Sequence, residues 1–516
     1  MTQRGPARSG AADLEFAVIG VRAKGDDAQL AVVRGQLDAG YFGGEGGGQQ
    51  RGHEQGAGSF HGEERRGDEG SGRGRDAKLI AANVGKTFWP PCVAACHRGA
   101  MQNKFSLRWV GGALLAGLVL ISASSRAAQS RPMELADLFR LQRVSDPQIS
   151  PDGRRVAYVV TVVLKDENRT NADIWVIAAD GSGEPRKLTS SPKRDAHPRW
   201  SPDGKWIAFE STRDGEGQVF LLPVGGGEAR KVTTLSTGAG QALWAPDGKS
   251  LVFVSSVFPE FSANPFKEAD KLNKEKQDAR DKSKVKARTI DKLLYRHWDS
   301  WVDDKRQHLF VVPIAADGTP GEPRNVTPGE NDAVPTSSTF SAGDEFAFSP
   351  DGKEIVFSAP PLPVREQAWR TNHDVWSVNL ATGEKKNLTA QSLGADGLPR
   401  FSPDGKTLAY RAQARAGFEA DKWDLWLVDR ATGQRRNVTA TWPGSVDNYV
   451  WSPDGQTIFL EGQEKGRAPL WSVAAAGGEV KRLFDDGVNH EISVSPDGRW
   501  LAFTGQRLTM PGTITR

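Results

Sequence analysis

The chain is 516 residues long, and its 67 Lys and Arg stand against 64 Asp and Glu for a formal net charge of +3. That length allows about three domains, and the composition is that of an ordinary soluble protein with balanced charge. The two cysteines, Cys92 and Cys96, both lie upstream of Met101, so the remainder has neither a disulfide framework nor a thiol nucleophile.

The stretch from Gly40 to Arg75 is crowded with Gly, Glu, Arg and Gln and has no apolar period. Such a segment cannot bury enough surface to order itself, and residues 1–100 read as a disordered extension. Cys92 and Cys96 with His97 are too few ligands for a zinc site, and no metal or other cofactor is expected. Met101 opens a different pattern: Lys104 and Arg108, an apolar run from Trp109 to Ile121, and small residues up to Ala127. This is the pattern of a secretory signal peptide over 101–127, with export to the periplasm or the medium. The run is short for a membrane span, so no stable membrane anchor is expected. A signal peptide works at an N-terminus, so Met101 reads as the true start and residues 1–100 as a gene-model artefact. The alternative is a disordered cytoplasmic tail followed by a signal anchor.

From residue 128 the pattern is repetitive. Leu135 to Leu141 has helical spacing and leads into the first repeat. Ser-Pro-Asp-Gly then recurs from Ser150, Ser201, Ser349, Ser402, Ser452 and Ser495, with Ala245-Pro246-Asp247-Gly248 as a near copy. Proline pre-sets φ in such a turn and glycine supplies the left-handed residue. Apolar alternation on both sides makes each phrase a hairpin tip. A second hairpin follows each of the first six, starting near Asp173, Gln218, His308, Asp374, Asp424 and Pro469. Two hairpins per repeat of about 45 to 50 residues indicate an all-β fold, a seven-bladed β-propeller of four-stranded blades over 128–516. The turn aspartates are then turn chemistry, neither metal ligands nor catalytic groups. Seven first hairpins against six second ones leave the last blade incomplete, with an unpaired edge that native proteins avoid. The chain is therefore expected to be a fragment.

Between Pro246 and Pro350 the repeat interval doubles. The added residues, about 258–305, hold a charged segment from Lys267 to Lys292 and the stretch Arg296-His297-Trp298-Asp299-Ser300-Trp301. Interleaved acids and bases suit a solvated helix with i,i+4 pairs. A nucleic-acid surface would need a one-sided excess with interleaved aromatics, so no nucleic acid partner is expected. The aromatic stretch either pins the insertion to its blade or lines a binding surface at the propeller mouth. Elsewhere the sequence has no Gly-x-Ser-x-Gly, no His-Glu-x-x-His and no P-loop, and no catalytic residue is assigned. His197, His297, His308, His373 and His490 fall in different repeats and read as packing or rim residues.

The repeats, the opening Leu135-Ala136-Asp137-Leu138-Phe139 and above all Arg296-His297-Trp298-Asp299-Ser300-Trp301 with His308-Leu309-Phe310 carry a resemblance. Together they resemble a serine peptidase of the prolyl oligopeptidase family, in its dipeptidyl-peptidase V and acylaminoacyl-peptidase branch, from about Met133 to Arg516. The resemblance implies an exported exopeptidase that takes dipeptides from the N-terminus of oligopeptides. It also implies a C-terminal α/β-hydrolase domain with a Ser-Asp-His triad, capped by the propeller. The implied partners are an oligopeptide substrate and that hydrolase domain, which is absent from this sequence because the triad would fall beyond Arg516. Recognition is implied at Phe258-Pro259-Glu260: Glu260 anchors the α-amino group by a charge-assisted hydrogen bond, with Phe258 and Trp298 as apolar walls. The other reading of Glu260 is an exposed loop carboxylate. A non-enzymatic periplasmic propeller resembling the TolB type, binding protein partners, is the alternative function. A metal-dependent lactonase working in the central channel is a third.

Overall fold

A computed structural model of the chain describes residues 17–24, 27–34, 131–298, 300–336 and 343–516. The Gly40–Arg75 stretch, both cysteines, the signal-peptide segment and Asp299 lie outside the described residues.

The Ser-Pro-Asp-Gly phrase folds as its chemistry dictates. At the first copy, Ser150 N–H donates to the Arg155 carbonyl at 2.8 Å and Gly153 N–H to the Ser150 carbonyl at 2.8 Å. Ser150 Oγ donates to Asp152 Oδ1 at 2.5 Å and accepts from Arg155 N–H at 2.9 Å, and Asp152 Oδ1 also accepts from Arg154 N–H. Gly153 has φ +69°, which a side chain would strain. The hydroxyl bond holds the Asp152 carboxyl below the usual carboxylate range, and the same bond from Ser495 brings Asp497 down to about 2.

Each turn joins the first and second strands of a blade. The first blade is Arg143–Ile149, Arg155–Leu164, Arg169–Ala178 and Arg186–Lys187, hydrogen-bonded in that order. Five more blades repeat the order, opening at Asp195, Gly240, Phe346, Asp396 and Asn448. Apolar clusters weld neighbours together. Ile174 of the first blade packs with Phe209 and Phe220 of the second, and Val252 of the third with Phe346 and Phe357 of the fourth. The ring closes where Tyr158 and Val156 of the first blade meet Trp500 and Ile514 of the seventh.

The last blade corrects the expectations in one place. Its own strands are Val488–Val494, Leu501–Arg507 and Met510–Thr515, so a third strand follows the final Ser-Pro-Asp-Gly hairpin. The N-terminal strand Ala17–Lys24 pairs with it, Val18 opposite Thr515 and Ile19 opposite Ile514, and Asp27–Arg34 forms the outer edge. Ala17–Lys24 and Asp27–Arg34 are thus paired strands within the N-terminal extension. The physical reason is the apolar content of Ala17-Val18-Ile19 and Leu30-Ala31-Val32-Val33, which sets them apart from the Gly-rich stretch that follows.

The insertion leaves the third blade between its second and third strands, Ser250–Val257 and Arg306–Pro313. A short turn, Pro259–Phe261, precedes the helix Phe266–Lys282, and a two-residue ladder, Arg296–His297 against Ser300–Trp301, precedes the return strand. The helix carries the i,i+4 pairs Lys271–Glu275 and Lys274–Asp278 on its solvated side. Its buried Asn273 accepts from Phe258 N–H at 2.8 Å, which fixes the helix to the blade. Among the described residues, no helix is long and apolar enough to cross a membrane.

Candidate functional site at the propeller axis

The first strand of every blade lines the axis, and its sequence is phased by the turn that follows it. The residue four positions before each Ser/Ala-Pro-Asp-Gly phrase is, in blade order, Asp146, His197, Gln241, Glu345, Leu398, Asn448 and Glu491. Five of these, Asp146, His197, Gln241, Leu398 and Glu491, have φ between +53° and +60°. Each of the five sits where the register between first and second strands shifts, the mark of a β-bulge. A bulge adds one residue, bends the strand and re-aims a side chain, so five blades use the same device on the axis. The left-handed backbone frees amide groups, and carboxylates cover them. Glu491 Oε2 accepts from Asp146 N–H at 2.8 Å, Glu345 Oε2 from Leu398 N–H at 2.7 Å, and Glu210 Oε1 from Gln241 N–H at 2.5 Å.

These strands enclose a cavity of about 1010 Å³, with Trp200, Trp244 and Tyr449 in its wall. An ion network crosses it. Arg199 Nη1 lies 2.9 Å from both carboxylate oxygens of Asp146, and its Nη2 lies 3.1 Å from Asp344 Oδ2. His197 Nε2 stands 2.9 Å from Asp344 Oδ1 and 2.8 Å from Arg199 Nη2, so the ring tautomer decides which contact is a hydrogen bond. Burial works against the charges of this network, and pairing overcomes it. The Arg199 guanidinium is raised above its ordinary value by Asp146 and Asp344, and the Asp344 carboxyl is held far below its range by Arg199 and His197. Among the described residues there is no cluster of three or more His, Cys, Asp or Glu arranged to hold a metal ion.

The residues expected at the recognition site lie on the insertion. Glu260 is on the Pro259–Phe261 turn and pairs with Lys276 of the helix. Phe258 is 1% exposed, and its ring lies under Lys276 Nζ at 4.2 Å and under the Arg280 guanidinium at 4.7 Å. Phe258 and Glu260 therefore share one cation. Trp298 is 72% exposed at φ +50°, between the paired residues Arg296–His297 and Ser300–Trp301. Of the histidines, His308 and His373 are buried, and burial lowers each to about 4. His197 is the one placed in the axial network. The axial ring itself was not singled out from sequence, although counting back four residues from each turn finds it.

A protein-family model described as the TolB beta propeller domain matches residues 139–272 and 345–511, more than half of the chain. The dipeptidyl-peptidase 5 of Porphyromonas endodontalis is 29% identical over 300 residues, covering 58% of this chain and 41% of that protein. The dipeptidyl-peptidase 5 of Porphyromonas gingivalis is 31% identical over 301 residues, again covering 58% and 41%. The chain thus matches less than half the length of these curated relatives. Among solved structures, the acylaminoacyl peptidase of Pyrococcus horikoshii superposes with a TM-score of 0.51 at 16% identity, covering 73% of this chain and 52% of that one, a likeness of fold.

Proposed function

The chain belongs to the TolB beta-propeller domain family, and we propose that it is the substrate-recognition propeller of an exported serine exopeptidase that removes dipeptides from the N-terminus of oligopeptides. The similarity to two dipeptidyl-peptidases over some 300 residues supports the peptidase reading. The structural observation that carries it is the difference between the two ends of the propeller. Trp298, Trp301, Trp369, Leu393, Phe418 and Leu508 are exposed. Each lies in a segment joining second to third strands, or one blade to the next. Strand alternation puts all those segments at one end, opposite the polar Ser-Pro-Asp-Gly turns. Apolar surface gathered at one end is an interaction face. Its proposed occupant is an α/β-hydrolase domain of the same polypeptide, as the 41% coverage of the relatives suggests. Export would follow from the signal-peptide pattern at 101–127.

In this reading Glu260 holds the substrate α-ammonium. Lys276 already pairs with it, and a substrate amine would take the place of that side chain. The test is to express the open reading frame from Met101 through whatever follows codon 516 and assay dipeptidyl reporters with free and acetylated amines. Hydrolysis of the free-amine reporter is expected, and Glu260→Ala should raise KM for it far more than for blocked substrates. Absence of hydrolysis together with specific binding of an exported protein would establish the TolB-like binding propeller instead.

A further inference from the structure

Eight acidic or basic side chains line the axial cavity, besides Tyr449: Asp146, Arg194, His197, Arg199, Glu210, Asp344, Arg400 and Glu491. Six of them have ionic partners within the group. Asp146 and Asp344 pair with Arg199, His197 faces Asp344, and Arg194 lies 3.4 Å from Glu210. The remaining two, Glu491 on the seventh blade and Arg400 on the fifth, have opposite charge and no direct ion pair among the described residues, although Arg400 acts at longer range to help keep Asp344 ionised. Glu491 accepts from Asp146 N–H and from Thr504 Oγ at 2.6 Å, both through Oε2. Arg400 donates only to main-chain carbonyls, through Nη1 to Asp344 O at 2.8 Å and more distantly to Phe346 O and Pro399 O. Both owe their position to a bulge: Glu491 is itself the left-handed residue at φ +60°, and Arg400 follows the left-handed Leu398 by two.

We propose that the axial cavity is a second peptide site, which binds a short free peptide by its two termini, the α-ammonium at Glu491 and the α-carboxylate at Arg400. Two opposite charges that face one cavity without neutralising each other leave that task to a zwitterion. Charge-assisted hydrogen bonds at both ends would hold the peptide in place. The apolar and aromatic lining of Trp200, Trp244, Leu243 and Phe348 accommodates side chains between them, and the volume is of the size that ligand pockets have. The choice of a peptide among zwitterions rests on the peptidase reading, whereas the charge pattern does not. The site is separate from Glu260, which belongs to the insertion.

Calorimetric titration of the intact chain with alanyl-phenylalanine tests this. Acetylating the amine or amidating the carboxylate should weaken binding at least about tenfold each. Glu491→Gln keeps an acceptor for Asp146 N–H and should abolish the preference for a free amine. Arg400→Gln should abolish the preference for a free carboxylate, and Arg400→Lys, which keeps a donor for the Asp344 carbonyl, should retain part of it. Melting curves confirm that each variant is folded, and Arg400→Lys serves alone if Arg400→Gln is not. Equal binding of free and blocked peptides would overturn the proposal, as would undetectable binding at millimolar peptide. Loss of binding in Glu260→Gln, with none in Glu491→Gln, would also overturn it while leaving the peptidase reading standing.

Discussion

Arg199 of the second blade holds Asp146 of the first through a single nitrogen, Nη1, which lies 2.9 Å from each carboxylate oxygen. Its other terminal nitrogen reaches Asp344, so one guanidinium ties the first, second and fourth blades together across the axis. Removing one partner of this part-buried pair leaves the other charge uncompensated, at a cost of up to about 3–5 kcal/mol, the value for full burial. Arg199→Met should destabilise by that order in urea unfolding, and adding Asp344→Asn should return part of the loss. An additive double variant would mean that the two groups do not act together.

The insertion residues separate packing from exposure. Phe258 is buried beneath two cations, so Phe258→Ala should cost about 3–5 kcal/mol through the cavity it leaves. Trp298 is exposed, and Trp298→Ala should change stability by no more than about 0.5 kcal/mol. Thermal or urea unfolding of the two variants checks the contrast. If Trp298→Ala also impairs turnover by the longer polypeptide, the side chain acts on substrate or on the neighbouring domain rather than on the fold.

One blade lacks a bond the others have. In the third blade Ala245 replaces the turn serine, and the Asp247 carboxylate accepts only from Lys249 N–H, at 2.9 Å. At the seventh blade Ser495 Oγ both donates to Asp497 at 2.7 Å and accepts from Trp500 N–H at 3.1 Å. Ala245→Ser should restore these bonds and stabilise by about 1 kcal/mol. Ser495→Ala should cost about 1–3 kcal/mol, since it leaves a buried amide unsatisfied. The urea midpoint reads both, and a loss of stability in Ala245→Ser would show that the third turn cannot seat a hydroxyl.

The repeats were legible because each turn is specified locally, by a serine, a proline, an aspartate and a glycine within four residues. The axial ring follows the same phase but not the same chemistry: Asp146, His197, Leu398 and Glu491 share a bulged backbone and no residue type, so no motif marks them. Arg199 and Asp344 are 145 residues apart, and their pairing depends on the curvature of the ring, which no local pattern encodes. The strands Ala17–Lys24 and Asp27–Arg34 were not read from sequence, because the Gly-rich stretch beyond them dominates the composition of that region. Of the insertion, the charged helix was readable from its alternating signs. The burial of Phe258 was not, because it depends on Asn273 and Lys276 folding back over it.

Glu461, on the second strand of the sixth blade, gives the fold a dependence on pH. Burial raises its carboxyl to about 7, against the opposing bonds from Ile492 N–H at 2.9 Å and the Asn448 amide at 3.1 Å. A folded-state value above the ordinary 4.5 means that the native chain keeps a proton the unfolded chain has released. The stability tied to that proton is complete below about pH 4.5 and is lost as the pH rises through 7, by about 3 kcal/mol at most. Glu461→Gln keeps an acceptor for Ile492 N–H and removes the ionisation. Its urea midpoint should therefore gain on that of the unmodified chain as the pH rises from roughly 5 to 8. Asp396, which burial raises to about 7, and His308 and His373, which burial lowers to about 4, remain in both chains, so the difference between the two curves reads Glu461. Parallel curves would show that Glu461 is ionised in the folded chain throughout this range.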